Sequence, residues 1–161
     1  MSYAILCPAD NFNHDELVRY ARSAEATGLD TIWLPELYGR DPFVTCASVM
    51  AATSSIRVGT AIANVYARDA RATKAAAFSL ADAFDNRFEL GLGLSNKVGN
   101  SPRGHDWLPP LVKMRDFMDR YDNADIMFDH AASVFVYLAA HGPKLMAFAA
   151  ECLDGAYTYL Q

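Results

Sequence analysis

The stretch Thr53–Ser95, TSSIRVGTAIANVYARDARATKAAAFSLADAFDNRFELGLGLS, decides how the chain folds. It opens on an apolar run, IRVGTAIAN from Ile56, and closes on another, RFELGLGL from Arg87. Between them Thr73, Ala77, Leu80 and Phe84 recur at helical spacing behind Asp69, whose short acidic side chain suits a helix start. Neither run alternates apolar with polar residues. Both are apolar almost throughout, the pattern of strands covered on two faces. Strand, amphipathic helix and strand in succession predict a parallel βαβ crossover.

The same alternation extends outward in both directions. YAILCPA from Tyr3, TIWLPE from Thr31, SVFVYLAA from Ser133 and GAYTYL from Gly155 are further strand runs. Asn13 and Glu16 have capping-box spacing ahead of a face made by Leu17, Ala21 and Ala24, with Gly28 as terminator. Asp41 followed by Pro42 opens a helix whose stripe is Phe43, Ala47 and Met50. Pro109–Pro110 opens another, with Leu111, Met114, Met118 and Tyr121 inward. Gly142–Pro143 begins a fifth, with Leu145, Phe148, Ala149 and Cys152 on its inner side. The prediction is therefore an α/β domain of six strands and five helices covering residues 1–161, with Tyr121–Ala132 as a surface connection. Alternation alone fits either an open doubly wound sheet or a barrel.

Composition narrows the function classes. Hydrophobic residues at 52% and charged residues at 20% suit an ordered core. A formal net charge of -5 without a basic block argues against nucleic acid as a partner. No apolar stretch is long enough to span a bilayer, and Tyr3–Cys7, with no basic segment ahead of it, reads as a strand and not a secretory peptide. Cys7, Cys46 and Cys152 fit reduced thiols in a cytoplasmic protein, each expected in a buried structural position. His14, His105, His130 and His141 lack metal-ligand spacing, so no metal site is expected.

In βα proteins ligands bind beyond the carboxyl ends of the strands. The segment Ala139–Lys144 (AAHGPK) lies at such an end. Small alanines permit close backbone approach, Gly142 can adopt conformations closed to other residues, and Pro143 begins a helix whose unpaired N–H groups attract anions. With Lys144 these residues form a candidate phosphate cradle; the alternative is an ordinary strand-to-helix turn. The run GLGLSNKVG from Gly91 fails as a dinucleotide fingerprint, because its third glycine is misplaced and a loop is expected after Ser95. Gly91 and Gly93 read as close-approach positions. Glu36, directly after a buried strand, suits acid–base work, against the alternative of a solvent-facing partner for Arg40. Ser95 has no base partner that would make it a nucleophile. Trp33 and Trp107 can wall a ring-binding pocket or pack in the core.

Three blocks then occur in order: GLDTIWLPELYGRDPF from Gly28, the stretch Thr53–Ser95, and YLAAHGPKLMAFAAECLDGAYTYL from Tyr137. Together they resemble the luciferase-like (bacterial luciferase-type) oxidoreductases, most of all the branch of methylenetetrahydromethanopterin reductase and related deazaflavin-dependent enzymes. The resemblance implies a TIM-type (β/α) barrel and hydride transfer between coenzyme F-420, an 8-hydroxy-5-deazaflavin, and a small organic substrate. FMN with oxygen is the alternative. It further implies that the cofactor ring lies against a bulge of the third strand, often containing a non-prolyl cis peptide, at Gly59, Thr60, Ala61 and Ile62. Ala139, Ala140, Gly142 and Lys144, with His141 among them, match a phosphate-contacting segment. Glu36 matches an acidic residue near ring and substrate, and Asn64 and Ser95 match pocket-lining strand ends.

Departures from the family pattern carry their own implications. Leu37 stands where some members have histidine, and Asn96 and Gly99 stand where those members have glutamate and asparagine, which argues against a sugar-phosphate dehydrogenase mechanism. The insertion before the fifth strand is short. Family members run to about twice this length and close eight βα units. The expectation is thus an incomplete barrel lacking its C-terminal units, with a homodimer covering the open side. A non-catalytic flavin-binding remnant is the rival to the enzyme.

Overall fold

The computed structural model describes residues 3–128 and 132–158. Tyr159 and Leu160 of the sixth strand run, His130, and residues 129–131 of the expected surface connection lie outside the described residues. The elements in chain order are β1 (Ala4–Leu6), α1 (His14–Ala26), β2 (Thr31–Leu34), α2 (Pro42–Ala52), β3 (Arg57–Thr60), β4 (Ala63–Asn64), α3 (Ala70–Ala83), β5 (Phe88–Gly93), α4 (Lys97–Asn100), α5 (Pro110–Asp122), β6 (Phe135–Ala139), α6 (Pro143–Cys152) and β7 (Gly155–Tyr157).

Every pairing is parallel, and the strand order β1-β2-β3-β5-β6-β7 follows the chain, with β4 pairing to β5. That order resolves what alternation left open. Right-handed crossovers between strands that advance in one direction all fall on the same face of the sheet. Accordingly α1 packs on α2, α2 on α3, α3 on α5 and α5 on α6. A doubly wound sheet would reverse its strand order and carry helices on both faces. The chain is singly wound, as a (β/α) barrel is, and forms a half-barrel whose edges among the described residues are β1 and β7.

Local signals set the helix ends as expected. The Asn13–Glu16 capping box is formed in both directions. Asp41 caps α2 through the N–H groups of Phe43 and Val44, and Asp69 caps α3 through that of Ala72. On the helix side of the sheet, Ile32, Leu34, Val58, Phe88, Leu90, Leu92 and Leu138 are buried with Leu17, Met50, Ala77, Met114 and Phe148 from the helices. Each large side chain contributes about 1.5–3 kcal/mol on burial. Cys7 and Cys46 belong to this core, and burial pushes the Cys7 thiol up to about 11. Cys152 departs from expectation: it ends α6 and is exposed, since α6 packs on α5 and no further helix follows it among the described residues.

The other face carries rings. Trp33 meets Tyr137 and Tyr157 edge-on, with centroids 5.8 and 4.9 Å apart. Room for them comes from glycine. A Cβ on Gly59 would lie 2.2 Å from the Trp33 ring, and one on Gly91 would lie 1.9 Å from the Thr60 carbonyl and 2.5 Å from the Tyr157 hydroxyl. Burial, reinforced by Glu89, raises both phenols above their ordinary range.

Glu25, near the end of α1, fixes the start of β3. Its Oε1 accepts the N–H groups of Ser54, Ser55 and Ile56 at 2.8, 2.6 and 3.0 Å. These bonds, Ser55 first, lower its pKa to about 2. A carboxyl whose folded pKa lies below its unfolded value of about 4.3 stabilises the fold above that pH and loses its contribution as pH falls toward the folded value. Glu25→Gln is therefore expected to lower the urea midpoint at neutral pH, with the gap from the parent protein closing as the pH falls from about 4.5 toward 2. A gap that stayed constant across that range would show that the charge on Glu25 is not what holds the segment.

Candidate functional site

The third strand breaks where the site begins. Gly59 pairs with Glu89 but Ala63 pairs with Leu92, so β3 and β4 together carry one residue more than β5 opposite them. This is a bulge. The Thr60 side chain spans the break: its Oγ1 donates to the Gly91 carbonyl at 2.7 Å and accepts the Gly91 N–H at 2.9 Å. On the β2 side, Ala61 N–H donates to Leu34 O at 2.9 Å and Glu36 N–H to Ile62 O at 3.1 Å. The Ala61–Ile62 peptide is cis, inside the expected four-residue segment. Gly93 faces Ile62, so both glycines of GLGL are close-approach positions as read.

At the carboxyl ends of β2, β4 and β5, Glu36, Asn64 and Ser95 line one cavity of about 90 Å³ together with Asn96 and Arg103. An adjoining cavity of about 230 Å³ shares Glu36 and Arg103 and adds Arg40, Asp41 and Arg68. The Glu36 side chain is 7% exposed and paired, though not with Arg40. Its Oε2 accepts from Arg68 Nη1 at 2.7 Å and from the Asn64 N–H at 2.8 Å, and its Oε1 lies 3.4 Å from Arg68 Nη2. Arg68 also reaches Asp41 at 2.9 Å. Arg40 instead donates to the carbonyls of Ala9 and Phe12, held there by a turn whose N–H groups are taken by Asp10.

Asn64 is buried and fully engaged. Its Oδ1 accepts from Tyr66 N–H at 3.0 Å and its Nδ2 donates to Asn100 Oδ1 at 2.8 Å. Asn100, buried in turn, donates to the carbonyls of Leu94 at 2.6 Å and Asn96 at 3.0 Å. Ser95 is exposed with φ 57°. Its chain then enters α4, capped by Asn96, and a single 3-10 turn, Ser101–Arg103. The expected plain loop is thus partly helical, because the asparagine caps and the Asn64–Asn100 bond pin a segment whose composition reads as irregular. Trp107 stacks on Tyr66 at 5.5 Å and does not enter the cavity that holds Glu36. Trp33 lies on the concave face among rings and not among the helix-side residues.

The Ala139–Lys144 segment sits apart. Ala140 is buried, with its N–H donating to Tyr157 O at 3.0 Å, while His141 and Lys144 are exposed. Gly142 does not take the special conformation expected of it: its backbone is extended, φ -141° and ψ 159°, and a Cβ would meet nothing. As N-cap of α6 it provides no side-chain acceptor, which leaves the first-turn N–H groups of that helix open. Gly142 and Lys144 border a cavity of about 550 Å³ walled mainly by Pro109, Leu111, Val112 and Leu145. The structure therefore gathers Glu36, Asn64 and Ser95 in one place and Gly142 and Lys144 in another, with Gly59 and Thr60 engaged inside the sheet. Among the described residues, no three His, Cys, Asp or Glu side chains gather as a metal site needs. Sequence reasoning missed Arg68, Arg103 and Asn100; each acts across some thirty residues or more, and no local spacing announces such a pair.

Fold and site define a (β/α)-barrel scaffold with its polar groups gathered at the carboxyl ends of the strands and its third strand bulged there. Comparison with known proteins then gives the family: a model described as luciferase-like monooxygenase matches residues 1–124, and the chain belongs to that family. It is 30% identical to 5,10-methylenetetrahydromethanopterin reductase of Methanolobus tindarius over 87% of its own length and 48% of the relative's. It is 28% identical to a putative coenzyme F420-dependent oxidoreductase of Mycobacterium tuberculosis, over 89% of this chain and 50% of that one. The coenzyme F420-dependent tetrahydromethanopterin reductase of Methanopyrus kandleri has the same fold, with a TM-score of 0.82 at 17% identity over 98% of this chain and 55% of that one. The chain spans about half the length of the curated relatives it matches.

Breaking the Glu36–Arg68 pair should leave a buried carboxylate short of its partner. Arg68→Ala is expected to cost about 2–3 kcal/mol in urea denaturation. Adding Glu36→Gln should restore part of that loss, since most of the cost is the uncompensated charge. A loss under about 0.5 kcal/mol would mark the pair as an ordinary surface contact.

Proposed function

We propose that this chain carries the cofactor face of a coenzyme F-420-dependent oxidoreductase that transfers a hydride between the deazaflavin and a small organic substrate. The observation that carries the reading is the bulge between β3 and β4, which brings Ala61 and Ile62 to the same strand-end mouth as Glu36. Relatives similar over most of the chain, one of them named as F420-dependent, support it.

The residues present fit such a cofactor. Ala61 and Ile62 give a half-exposed apolar shelf suited to a flat ring. The uncapped start of α6, with Lys144 in its first turn, suits a phosphate. When bound, the deazaflavin supplies the redox chemistry. Glu36, kept in place by Arg68 and the Asn64 N–H, would accept a hydrogen bond from substrate and orient its reacting carbon. Ser95 would line the pocket from β5, and Ala139, Ala140 and His141 would flank the phosphate. The family's description as luciferase-like monooxygenases keeps FMN as the second cofactor reading.

Fluorescence titration with F-420 and with FMN tests this, with saturable binding of F-420 expected and weaker binding of FMN. Binding to neither would sink the oxidoreductase reading. Lys144→Ala should weaken F-420 roughly three- to ten-fold through the lost phosphate contact; unchanged affinity would remove Lys144 from the site. Binding without any turnover would favour a flavin-binding protein without catalysis.

We also propose that the chain works in the cytoplasm as a homodimer in which a second copy covers the open side of the sheet. The edges at β1 and β7, unpaired among the described residues, and the exposed Tyr3, Leu6 and Phe135 support that arrangement. Light scattering at micromolar concentration should give twice the chain mass, and a stable soluble monomer would overturn it.

A further inference from the structure

Arg103 is a cation at the mouth of the site whose pairing is loose. Its nearest charged neighbour is Glu36 Oε1 at 3.6 Å, beyond hydrogen-bond reach. Glu36 does not need it, having Arg68 and the Asn64 N–H already. Among the described residues Arg103 makes no side-chain hydrogen bond. The guanidinium lines both strand-end cavities, and the wall of the larger one carries three guanidiniums, of Arg40, Arg68 and Arg103, against two carboxylates, of Glu36 and Asp41. Asp10, behind the turn, is taken up by the N–H groups of Tyr38, Gly39 and Arg40.

The chain around Arg103 is anchored on both sides. Three residues before it, Asn100 is bound to Asn64; four residues after it, Trp107 stacks on Tyr66, whose hydroxyl accepts from Leu108 N–H at 3.0 Å. All these anchors reach the segment that continues the bulge, so the position of Arg103 follows that of the bulge and not the drift of a surface loop. Beside it the rim is apolar and open: Tyr38 is 92% exposed and Leu37 43%, and both line the two cavities with Arg103. Large apolar side chains left exposed around a concave charged mouth mark a binding rim.

We propose that Arg103 is a specificity-determining residue that selects a substrate carrying an anionic group, a carboxylate or a phosphate, next to an apolar body resting on Leu37 and Tyr38. A guanidinium with unused donors recognises either oxyanion in a forked geometry. The assignment rests on the oxidoreductase reading only for calling the ligand a substrate; the anion site itself does not depend on it.

The test uses the full chain labelled with nitrogen-15 and titrated with inorganic phosphate, with succinate and with the neutral succinamide. Saturable shifts of the Arg103 side-chain N–H and of the Asn96–Gly99 amides are expected with at least one anion and not with succinamide. They should weaken about ten-fold or more in Arg103→Gln and less in Arg103→Lys, which keeps the charge but loses the fork. Whichever of phosphate and succinate saturates at the lower concentration names the group. Identical shifts in Arg103→Gln, or shifts that sodium chloride reproduces at equal ionic strength, would overturn the proposal. F-420 affinity measured on the same variants separates the two readings. If F-420 binds and no anion binds at Arg103, the specificity proposal falls alone. If the anion binds and neither F-420 nor FMN does, the oxidoreductase reading falls alone. Loss of F-420 affinity in Arg103→Gln would assign the anion to the cofactor and overturn the substrate role.

Discussion

Thr60 makes two hydrogen bonds to Gly91, and the site depends on them. Where β3 takes up its extra residue the backbone ladder is interrupted, and interrupted ladders leave polar groups to be satisfied inside the sheet. The Thr60 hydroxyl, donating to one group of Gly91 and accepting from the other, closes that gap. Gly91 must lack a side chain for this to happen, since a Cβ there would overlap the Thr60 carbonyl and the Tyr157 ring. One hydroxyl and one missing methyl group thereby let the strand shift register while the sheet remains continuous.

The shift has an electrostatic consequence. After the bulge, Asn64 presents its N–H to Glu36 and its side chain to Asn100, while Arg68, just beyond, reaches back to the same carboxylate. A carboxylate 7% exposed would be costly alone. Here the segment that bends the strand also supplies the charge that makes burial tolerable. The position of Glu36 and the pairing of its charge are thus both set by residues 60–68, and not by the strand that carries it.

Elements with local signatures were legible in the sequence. Asn13, Asp41 and Asp69 announced helix starts that the structure forms, and each of the six apolar runs holds a strand, the run from Ile56 holding two, β3 and β4, of the seven. Strand order was not legible, because apolar runs look alike in a barrel and in a doubly wound sheet; the pairing of β2 with β3 and of β3 with β5 separates them. Residue class misled at Gly142 and Cys152. Glycine there is merely tolerated, and a cysteine at the end of the outermost described helix has no neighbouring helix to cover it. Glu36 is legible from its place after a strand, but the only pairing that sequence spacing offers it is the alternative with Arg40, four residues away, whereas the fold pairs it with Arg68, thirty-two away. Ion pairs across a fold have no sequence period, so no pattern could have found this one.

The two clusters of the site sit on different supports, and that separation bears on how it can work. Glu36, Asn64 and Arg103 are tied to one another through the bulge, so a change at one is felt at the others. Lys144 and the start of α6 are joined to them less directly, through β6 with its Ala140–Tyr157 bond and through the packing of α6 on α5. A cofactor gripped at α6 and resting on the bulge would bridge the two supports. Its anchoring could then vary independently of the groups that meet the substrate. The two groups are then separable by mutation: a change at Lys144 leaves the Glu36–Arg68–Asn64 network intact, and a change within that network leaves the start of α6 intact.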